Sequence, residues 1–223
     1  MAPLLADAIE TSLNEHASHY AQASQCLDVG CGEQPLRTKL ESMGFAYSSL
    51  DLEQNSAAGV EHIGTIDKAL PLTLQASGFD LIVCTEVLEH VANWPIAFAN
   101  LTTLLKAGGR LLITCPHIWV PHEEPHDYFR PTSWALDHFA KQNELNIVSL
   151  KRLGDGYDVL GTVLAAVRIT APRKQPWMWL IAGPLSLIRK LALAILSLRP
   201  VRHVLNLPTR LYLSTVAVLE KSR

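Results

Sequence analysis

Cysteine is scarce in this sequence and does not form a metal-binding pattern. No two of the four cysteines are separated by only two residues: Cys26, Cys31, Cys84 and Cys115. We therefore expect no zinc, and the scarcity suits reduced thiols in a cytosolic protein. A secretory signal is also missing, because Asp7 and Glu10 interrupt the apolar N-terminal stretch and no basic segment precedes it. No signal peptide is therefore expected.

Acidic residues are absent from one long stretch, between Asp158 and Glu220. Residues 1–158 carry nine basic and twenty acidic side chains, a balance of −11. Residues 159–223 carry ten basic side chains and one acidic side chain, a balance of +9. Such a difference between two parts of a chain points to an anionic partner surface at the C-terminal end.

Apolar runs in this basic region are short. Residues 177–188 are uncharged, Arg189 and Lys190 follow, and residues 191–198 are again uncharged. Neither run reaches the roughly 20 residues of a spanning helix. We predict an interfacial element on the cytoplasmic membrane face. A helical lid over an acceptor pocket and a dimer interface are the alternatives. Nucleic acid is not expected, because the aromatic residues cluster with apolar residues instead of alternating with basic ones.

The most informative feature that is present is a glycine turn. Residues 26–32 read Cys-Leu-Asp-Val-Gly-Cys-Gly, and Asp51 closes a second apolar run. Gly30 and Gly32 allow a ligand to approach the backbone, and the Asp51 carboxylate can accept hydrogen bonds from two ribose hydroxyls. The third glycine of the dinucleotide fingerprint is missing, and Glu33 would repel a pyrophosphate. The pattern therefore predicts a site for a nucleoside without phosphates.

Three segments carry a family resemblance. DVGCGEQP at residues 28–35 resembles motif I of the class I S-adenosylmethionine-dependent methyltransferases, of the methyltransferase type 11 kind. Residues 79–91 resemble that family's fourth strand and "EVLEHV" turn, and residues 104–115 resemble its "LKPGG" turn and fifth strand. The resemblance implies S-adenosyl-L-methionine as the cofactor and a methyl acceptor as the partner.

Alternating strands and helices predict an α/β fold with a doubly wound, mostly parallel sheet. Six strands are expected at 25–30, 45–51, 60–64, 79–84, 109–115 and 145–153. Helices are expected at 3–23, 34–43, 95–106, 133–141, 157–170 and 177–198, the last broken near Pro184. The resemblance adds a seventh, antiparallel strand at 211–219 and implies the Rossmann-like fold of that family. We therefore predict a methyltransferase core at 1–153 and 209–223, with a helical, basic insertion at 154–208 before the last strand.

The resemblance also assigns cofactor-binding residues. They are Asp28, Gly30, Gly32, Asp51, Ile66, Asp67, Thr85 and Glu86. A role for Glu86 as a helix N-terminal carboxylate is an equal alternative. Glu86, Glu89 and His90 resemble a Glu-x-x-Glu-His set implicated in magnesium binding by the ubiquinone-biosynthesis O-methyltransferases. We nevertheless expect structural roles for these three residues, and no metal.

The segment 115–132 is rich in histidine and aromatic residues. Its part HEEPHDYFRPT resembles a loop of bacterial methyltransferases associated with glycan or cell-surface products. Histidine titrates near neutral pH, so His126 and then His117 are the predicted catalytic bases. Tyr128 and Arg130 are the predicted acceptor-binding residues, and a loop clamp with an Asp127–Arg130 pair is the alternative. A metal held by His122, Glu123 and His126 is a further alternative, for which the sequence suggests no fourth ligand.

Together these observations predict an S-adenosylmethionine-dependent methyltransferase that acts on oxygen of a membrane-associated or glycan-like acceptor. A soluble small-molecule O- or N-methyltransferase with the insertion as its lid is a second possibility. An inactive cofactor-binding scaffold of a membrane complex is a third. The expected location is the cytoplasm, with peripheral contact to the anionic inner face of the cell membrane.

Overall fold

The computed structural model describes residues 2–16, 19–75, 78–172, 174–204 and 210–223. The chain divides into two compact units. The larger unit contains Ala2–His117, Pro121–Leu153 and Ser214–Arg223, and the smaller unit contains Ile118–Val120 and Gly154–Leu213.

A seven-stranded sheet forms the centre of the larger unit. Its strands are β1 (Gln25–Val29), β2 (Ala46–Asp51), β3 (His62–Ile63), β4 (Phe79–Thr85), β5 (Leu105–Pro116), β6 (Leu145–Leu153) and β7 (Ser214–Lys221). The strand order is β3-β2-β1-β4-β5-β7-β6. Strands β1 to β5 pair in parallel, whereas β7 is antiparallel to both of its neighbours. The predicted doubly wound, mostly parallel fold is confirmed.

Helices cover both faces of this sheet. They are α1 (Ala2–Glu15), α2 (Arg37–Ser42), α3 (Leu72–Gln75), α4 (Trp94–Leu104) and α5 (Ser133–Gln142). Successive residues of a strand point to opposite faces, and along β4 the residues Leu81 and Val83 join the core under α1, while Ile82 and Cys84 join the core under α4 and α5. Because the strand is buried on both faces, it reads as a continuous apolar run.

The ends of several elements differ from the sequence-based prediction. Helix α1 ends at Glu15, α2 begins at Arg37, and the third strand is reduced to His62–Ile63. Thr132 precedes α5 as predicted, but its side chain makes no capping hydrogen bond. Element ends depend on local hydrogen bonds more than on apolar periodicity. At α4, by contrast, Pro95 lies in the first turn as predicted.

Three helices make up most of the smaller unit: α6 (Gly156–Ala166), α7 (Trp179–Leu196) and α8 (Arg199–Val204). Asp155 and Asp158 form a capping box at the start of α6. Helix α7 continues through Pro184, so the predicted break there is wrong. A proline ring clashes with the β-carbon of the residue before it in a helix, and Gly183 has no β-carbon. Helix α7 is long and apolar enough to cross a membrane by length and composition alone, and 6% of it is buried.

Candidate functional site

The turn after β1 requires glycine at one position and leaves open space at another. Gly30 has a φ of +67°, and a β-carbon there would lie 2.3 Å from Cγ2 of Val87. Its N–H donates to the Leu50 carbonyl at 2.8 Å, which ties the turn to β2. Gly32 has a φ of +50°, and a β-carbon there would meet nothing within 4 Å. The backbone at Gly32 therefore borders space that a ligand can enter.

Asp51 lies at the end of β2 and is held by the backbone. The Gly32 N–H donates to its Oδ2 at 2.7 Å, and the Leu52 N–H donates to its Oδ1 at 2.7 Å. An ionised carboxylate offers about four acceptor positions, so these two bonds fix its orientation and leave acceptor positions for ribose hydroxyls. The predicted pairing of the glycine turn with Asp51 is a direct contact in this structure.

Two cavities adjoin this turn. The first cavity has a volume of about 290 Å³ and is lined by Val29, Gly30, Gly32, Leu50, Asp51, Leu52, Gly64, Thr65, Ile66, Glu86, Val87, His90, Val91 and Glu123. The second, also of about 290 Å³, is lined by Asp28, Gly30, Cys31, Gly32, Glu33, Pro35, Leu36 and Thr85. Of the eight residues assigned to the cofactor, all except Asp67 line one of these cavities. The Asp67 carboxylate instead accepts hydrogen bonds from the Thr65 hydroxyl at 2.6 Å and the Asn93 N–H at 3.3 Å.

Asp28 is buried beneath the turn and bonded to a tyrosine. The Tyr47 hydroxyl donates to Asp28 Oδ2 at 2.8 Å. Burial is the main cause that raises the pKa of Asp28 to about 6, and the charge of Asp51 adds to it, while the Tyr47 bond acts in the opposite direction. Asp28 therefore supports the turn from below and is a weaker acid than an exposed aspartate.

Glu86 follows β4 in a left-handed conformation, with a φ of +55°. Its N–H donates to Thr114, and its Oε1 accepts from the Thr114 hydroxyl at 3.0 Å and from the Ser214 hydroxyl at 3.5 Å. Burial raises its pKa. Two strands therefore hold Glu86 at the wall of the first cavity, and Glu86 is not the cap of an α-helix, because a short 3₁₀ turn at Leu88–His90 follows.

The loop after β5 is fixed to the turn after β4. The Tyr128 and Phe129 N–H groups donate to the Glu89 carbonyl at 2.9 and 3.2 Å. The Arg130 guanidinium forms a two-pronged ion pair with Asp127, and this hydrogen bond is the main cause that lowers the pKa of Asp127 to about 2. The loop clamp that the sequence suggested as the alternative role of Arg130 is therefore present.

The two predicted catalytic histidines lie in this loop but line neither cavity. The His126 Nδ1 is 2.8 Å from the Tyr128 hydroxyl, and both side chains are exposed. The His117 Nδ1–H donates to the Pro131 carbonyl at 3.0 Å. Roles in catalysis for His126 and His117, and in acceptor binding for Tyr128 and Arg130, stay predictions.

Sequence reasoning missed several residues of the first cavity, among them Val87, His90, Val91 and Glu123. Val87 had a signal in the sequence, because it follows Glu86 in the turn after the fourth strand, opposite Gly30. Glu123 had none, because its position depends on how the loop after β5 folds back over that turn.

A family model for a methyltransferase domain matches residues 4–159. The chain belongs to the methyltransferase domain family. Its strand order and antiparallel last strand are those of a class I S-adenosylmethionine-dependent methyltransferase. The open backbone at Gly32 and the oriented Asp51 carboxylate fit the cofactor, since they can receive its amino acid end and its ribose.

Named relatives and solved structures agree with this assignment. The chain is 29% identical over 116 residues to the ubiquinone biosynthesis O-methyltransferase of Rickettsia canadensis. The match covers 48% of this chain and 49% of that protein. The chain therefore spans about half the length of the curated relatives it matches. Phosphoethanolamine N-methyltransferase 2 of Haemonchus contortus, solved with S-adenosyl-L-methionine, has a TM-score of 0.57 at 12% identity, over 96% of this chain and 52% of that one. An S-adenosylmethionine-dependent methyltransferase of Archaeoglobus fulgidus has a TM-score of 0.58 at 10% identity, over 96% and 94%. At these identities the structures show the fold alone.

Proposed function

We propose that this methyltransferase transfers the methyl group of S-adenosylmethionine to a hydroxyl oxygen of an acceptor held at an anionic membrane surface. The cofactor supplies a methyl group activated by its sulfonium, and the chain must hold the acceptor and keep it close. The exposed apolar surface of α7 is the observation that carries the membrane part of the proposal. The oxygen acceptor is supported by the relatives, which are named O-methyltransferases.

Helix α7 exposes large apolar side chains along most of its length. Trp179, Leu180, Ile181, Leu185, Leu187, Ile188, Leu191 and Ile195 are all exposed, and Leu180 reaches 80%. Trp177, just before the helix, is 61% exposed. A contiguous apolar surface of this kind marks an interaction site, and tryptophan is enriched where a protein meets lipid headgroups.

The two sides of α7 differ in composition. Ala182 and Leu196 are buried, and Arg189, between them on the same side, donates to the Ala165 and Val167 carbonyls at the end of α6. This side packs within the smaller unit. Leu180, Leu187 and Leu191 lie on the opposite side at helical spacing. An amphipathic helix with this division lies flat in a membrane interface, with its apolar side in the lipid.

Basic residues flank α7 in the sequence, and no acidic residue lies between Asp158 and Glu220. The exposed side chains are those of Arg168, Lys174, Lys190 and Arg210. Near an anionic leaflet each exposed cation contributes about 1 kcal/mol. Arg173, another basic residue of this stretch, lies outside the described residues, as do the side chains of Arg199 and Arg202. The charges favour an anionic membrane over a neutral one, and a peripheral position on its cytoplasmic face.

Vesicle flotation tests the membrane part. The full-length protein is expected to float with phosphatidylcholine vesicles that contain phosphatidylglycerol, and much less with phosphatidylcholine alone. The triple variant Leu180→Glu, Leu187→Glu, Leu191→Glu should stay at the bottom of the gradient. Leu72→Glu, an exposed position in the larger unit, is the matched control and should float like the unchanged protein. Equal flotation of the triple variant and the control contradicts the proposal.

Alkaline carbonate separates a helix that lies on the bilayer from one that crosses it. We expect carbonate to release the protein from vesicles, because Arg189 and Lys190 interrupt the apolar stretch and the flat position leaves the helix accessible. Resistance to carbonate would show that α7 spans the membrane, and the interfacial proposal would then be wrong.

The acceptor is tested with radiolabelled S-adenosylmethionine and fractions from cells that lack this protein. Transfer of label to the lipid-soluble or membrane fraction, as an alkali-stable methyl ether, is the expected result. Label in the soluble fraction alone would favour a small-molecule acceptor with the smaller unit as a lid. Cofactor binding without transfer to any fraction would favour a scaffold. Label in a polysaccharide fraction would favour a glycan acceptor.

A further inference from the structure

Three possible metal-ligand atoms meet where the loop after β5 crosses the turn after β4. Glu89 and His90 belong to the 3₁₀ turn at Leu88–His90, and His122 belongs to the loop. The His90 Nε2 and His122 Nε2 atoms are 3.2 Å apart, and they lie 3.8 and 3.9 Å from Oε1 of Glu89. We call these three residues the Glu–His cluster.

Glu89 contributes a buried oxygen without a hydrogen bond. Its side chain is 0% exposed. The Cys115 thiol donates to Oε2 at 3.7 Å, whereas Oε1 has no hydrogen-bond partner among the described residues. An unsatisfied buried polar atom destabilises the folded state, and buried charges in proteins are paired or coordinate metals. The unpartnered oxygen faces the two imidazole rings.

Partners outside the cluster hold both histidine rings. The His90 Nδ1–H donates to the His126 carbonyl at 2.9 Å, which leaves the lone pair of its Nε2 directed toward the cluster. Metal-binding histidines characteristically direct their second nitrogen at a carbonyl or a carboxylate, which fixes the tautomer and the ring, and His90 has such a partner. The His122 Nδ1 lies 3.4 Å from Nη2 of Arg130 and 3.5 Å from Oδ2 of Asp127, so the Arg130–Asp127 pair holds this ring in place.

We propose that Glu89 Oε1, His90 Nε2 and His122 Nε2 bind a zinc-like divalent transition-metal ion. Tetrahedral coordination with bonds of about 2.0–2.1 Å places its ligand atoms roughly 3.4 Å apart, so shifts of a few tenths of an ångström bring the three atoms into place. Two imidazoles and one carboxylate favour Zn²⁺ or a neighbouring first-row ion over Mg²⁺, which prefers oxygen ligands. A fourth position is open to water or to Glu123, whose Oε2 lies 3.7 Å from the His90 Nε2.

This set differs from the Glu-x-x-Glu-His set that the sequence suggests. Glu86 is occupied by Thr114 and Ser214, and a histidine from a different element replaces it. The turn supplies Glu89 and His90 and the loop supplies His122, so neither offers the complete set alone. The two half-sets meet because the loop is bound to the Glu89 carbonyl.

The Glu–His cluster adjoins the cofactor cavity, because His90 and Glu123 line the same space as Gly30 and Asp51. An ion here can bind an acceptor hydroxyl and lower its pKa, as a Lewis acid does. That use of the ion rests on the proposed function, whereas the binding of the ion does not. The two are therefore tested by separate measurements.

The experiment uses full-length protein freed of metal by a chelator. Zn²⁺ is titrated in competition with a chromophoric chelator, and Co²⁺ is added separately to record the visible absorption of a four-coordinate site. We expect one Zn²⁺ per chain and an intense Co²⁺ spectrum. Glu89→Gln, which keeps the shape of the side chain, and His122→Ala should each weaken Zn²⁺ binding at least a hundredfold and abolish the spectrum.

His138→Ala is the matched control, because His138 is an exposed histidine of α5 in the larger unit. It should bind Zn²⁺ like the unchanged protein, and millimolar Mg²⁺ should not displace the ion. The proposal is wrong if the unchanged protein binds no Zn²⁺, if His122→Ala and His138→Ala bind it equally, or if Mg²⁺ displaces it. The contact between the His90 and His122 Nε2 atoms would then be a hydrogen bond without an ion.

Calorimetry with S-adenosylmethionine makes the two failures distinguishable. Cofactor binding and methyl transfer without any Zn²⁺ binding would overturn the metal site alone. Zn²⁺ binding that depends on His122, together with no methyl transfer to any fraction, would leave the metal site standing and remove the proposed function.

Discussion

The two units of this methyltransferase use apolar residues and charge in opposite ways. In the larger unit β1 and β4 are buried on both faces, and the acidic residues of the chain lie mostly there. The stretch Gly154–Leu213 contains eight basic and two acidic residues, and both acids, Asp155 and Asp158, serve the cap of α6. Its longest helix exposes most of its apolar side chains.

The two units therefore respond differently to substitution. In the larger unit function depends on single positions, since Gly30 can be replaced by almost no other residue. In the smaller unit, the proposed function depends on the sum of many similar side chains, none of them individually required. Substitutions should therefore have large, specific effects in the first unit and small, additive effects in the second.

Gly30→Ala should produce the largest effect. The new methyl group would lie 2.3 Å from Val87 Cγ2, in a left-handed backbone conformation. Overpacking costs about 1–3 kcal/mol and the conformation costs about 1–2 kcal/mol, so we expect a loss of about 4 kcal/mol in the free energy of unfolding, measured in urea. Gly32→Ala is the control: it has the strain without the clash, and should cost about 1 kcal/mol while still obstructing the cofactor. Equal losses for the two variants would mean that Val87 moves away freely.

The pH dependence of stability should show the burial of Asp28. Its folded pKa of about 6 is above the ordinary 3.8, so its contribution is fully present below pH 3.8 and is lost as the pH rises through about 6. The unfolding free energy should therefore fall by about 3 kcal/mol between those limits through this group. Asp28→Asn stays neutral, and the difference between variant and unchanged protein should grow by that amount from pH 4 to pH 7. A constant difference would show that Asp28 ionises normally.

The groups around Asp28 identify the variant that best tests its pKa. Tyr47 donates to its carboxylate, and Cys26, Cys31 and Asp51 lie near enough to influence it or to be influenced by it. Because the Tyr47 bond lowers the pKa of Asp28, Tyr47→Phe should raise that pKa further and move the pH-dependent loss of stability to higher pH.

Asp51→Ala should weaken S-adenosylmethionine binding about a hundredfold, as measured by calorimetry. Two hydrogen bonds from ribose hydroxyls to a charged acceptor account for roughly 3 kcal/mol, and the Gly32 N–H loses its partner as well. Glu53→Gln removes a neighbouring exposed carboxylate and should leave the affinity unchanged. If both variants bind equally well, the ribose lies elsewhere.

The fold of the larger unit was predictable because its signals are local. The buried run of β4, the glycine turn after β1 and Pro95 at the start of α4 each fix an element without reference to the rest of the chain. The path of α7 through Pro184 was not, since proline in a helix interior removes a backbone donor and usually breaks or kinks the helix. The two-residue strand His62–Ile63 depends on pairing with Leu50 and Asp51.

The site divides in the same way. Gly30, Gly32 and Asp51 were predictable because the strand ends bring them together in any fold of this class. The meeting of His122 with Glu89 and His90 was not, because His122 lies 32 positions after His90. The distance is set by the hydrogen bonds between the loop and the turn, which join the loop to the Glu89 carbonyl and His90 to the His126 carbonyl. The ion pair between Asp127 and Arg130 could be expected from their spacing. The sequence left open whether Arg130 pairs with Asp127 or binds the acceptor.

Gly161→Ala should give the smallest effect, and one of opposite sign. Gly161 lies within α6, and a β-carbon there would meet nothing within 4 Å. Alanine is favoured over glycine in a helix interior by about 1 kcal/mol, so the substitution should stabilise α6. Hydrogen exchange measured by mass spectrometry on peptides from residues 156–166 should slow about fivefold, because 1 kcal/mol corresponds to that ratio. Peptides from β4 should exchange as before and serve as the internal control. Faster exchange in α6 would mean that the methyl group meets a neighbour, and that the open side of this helix is closed in solution by a partner surface.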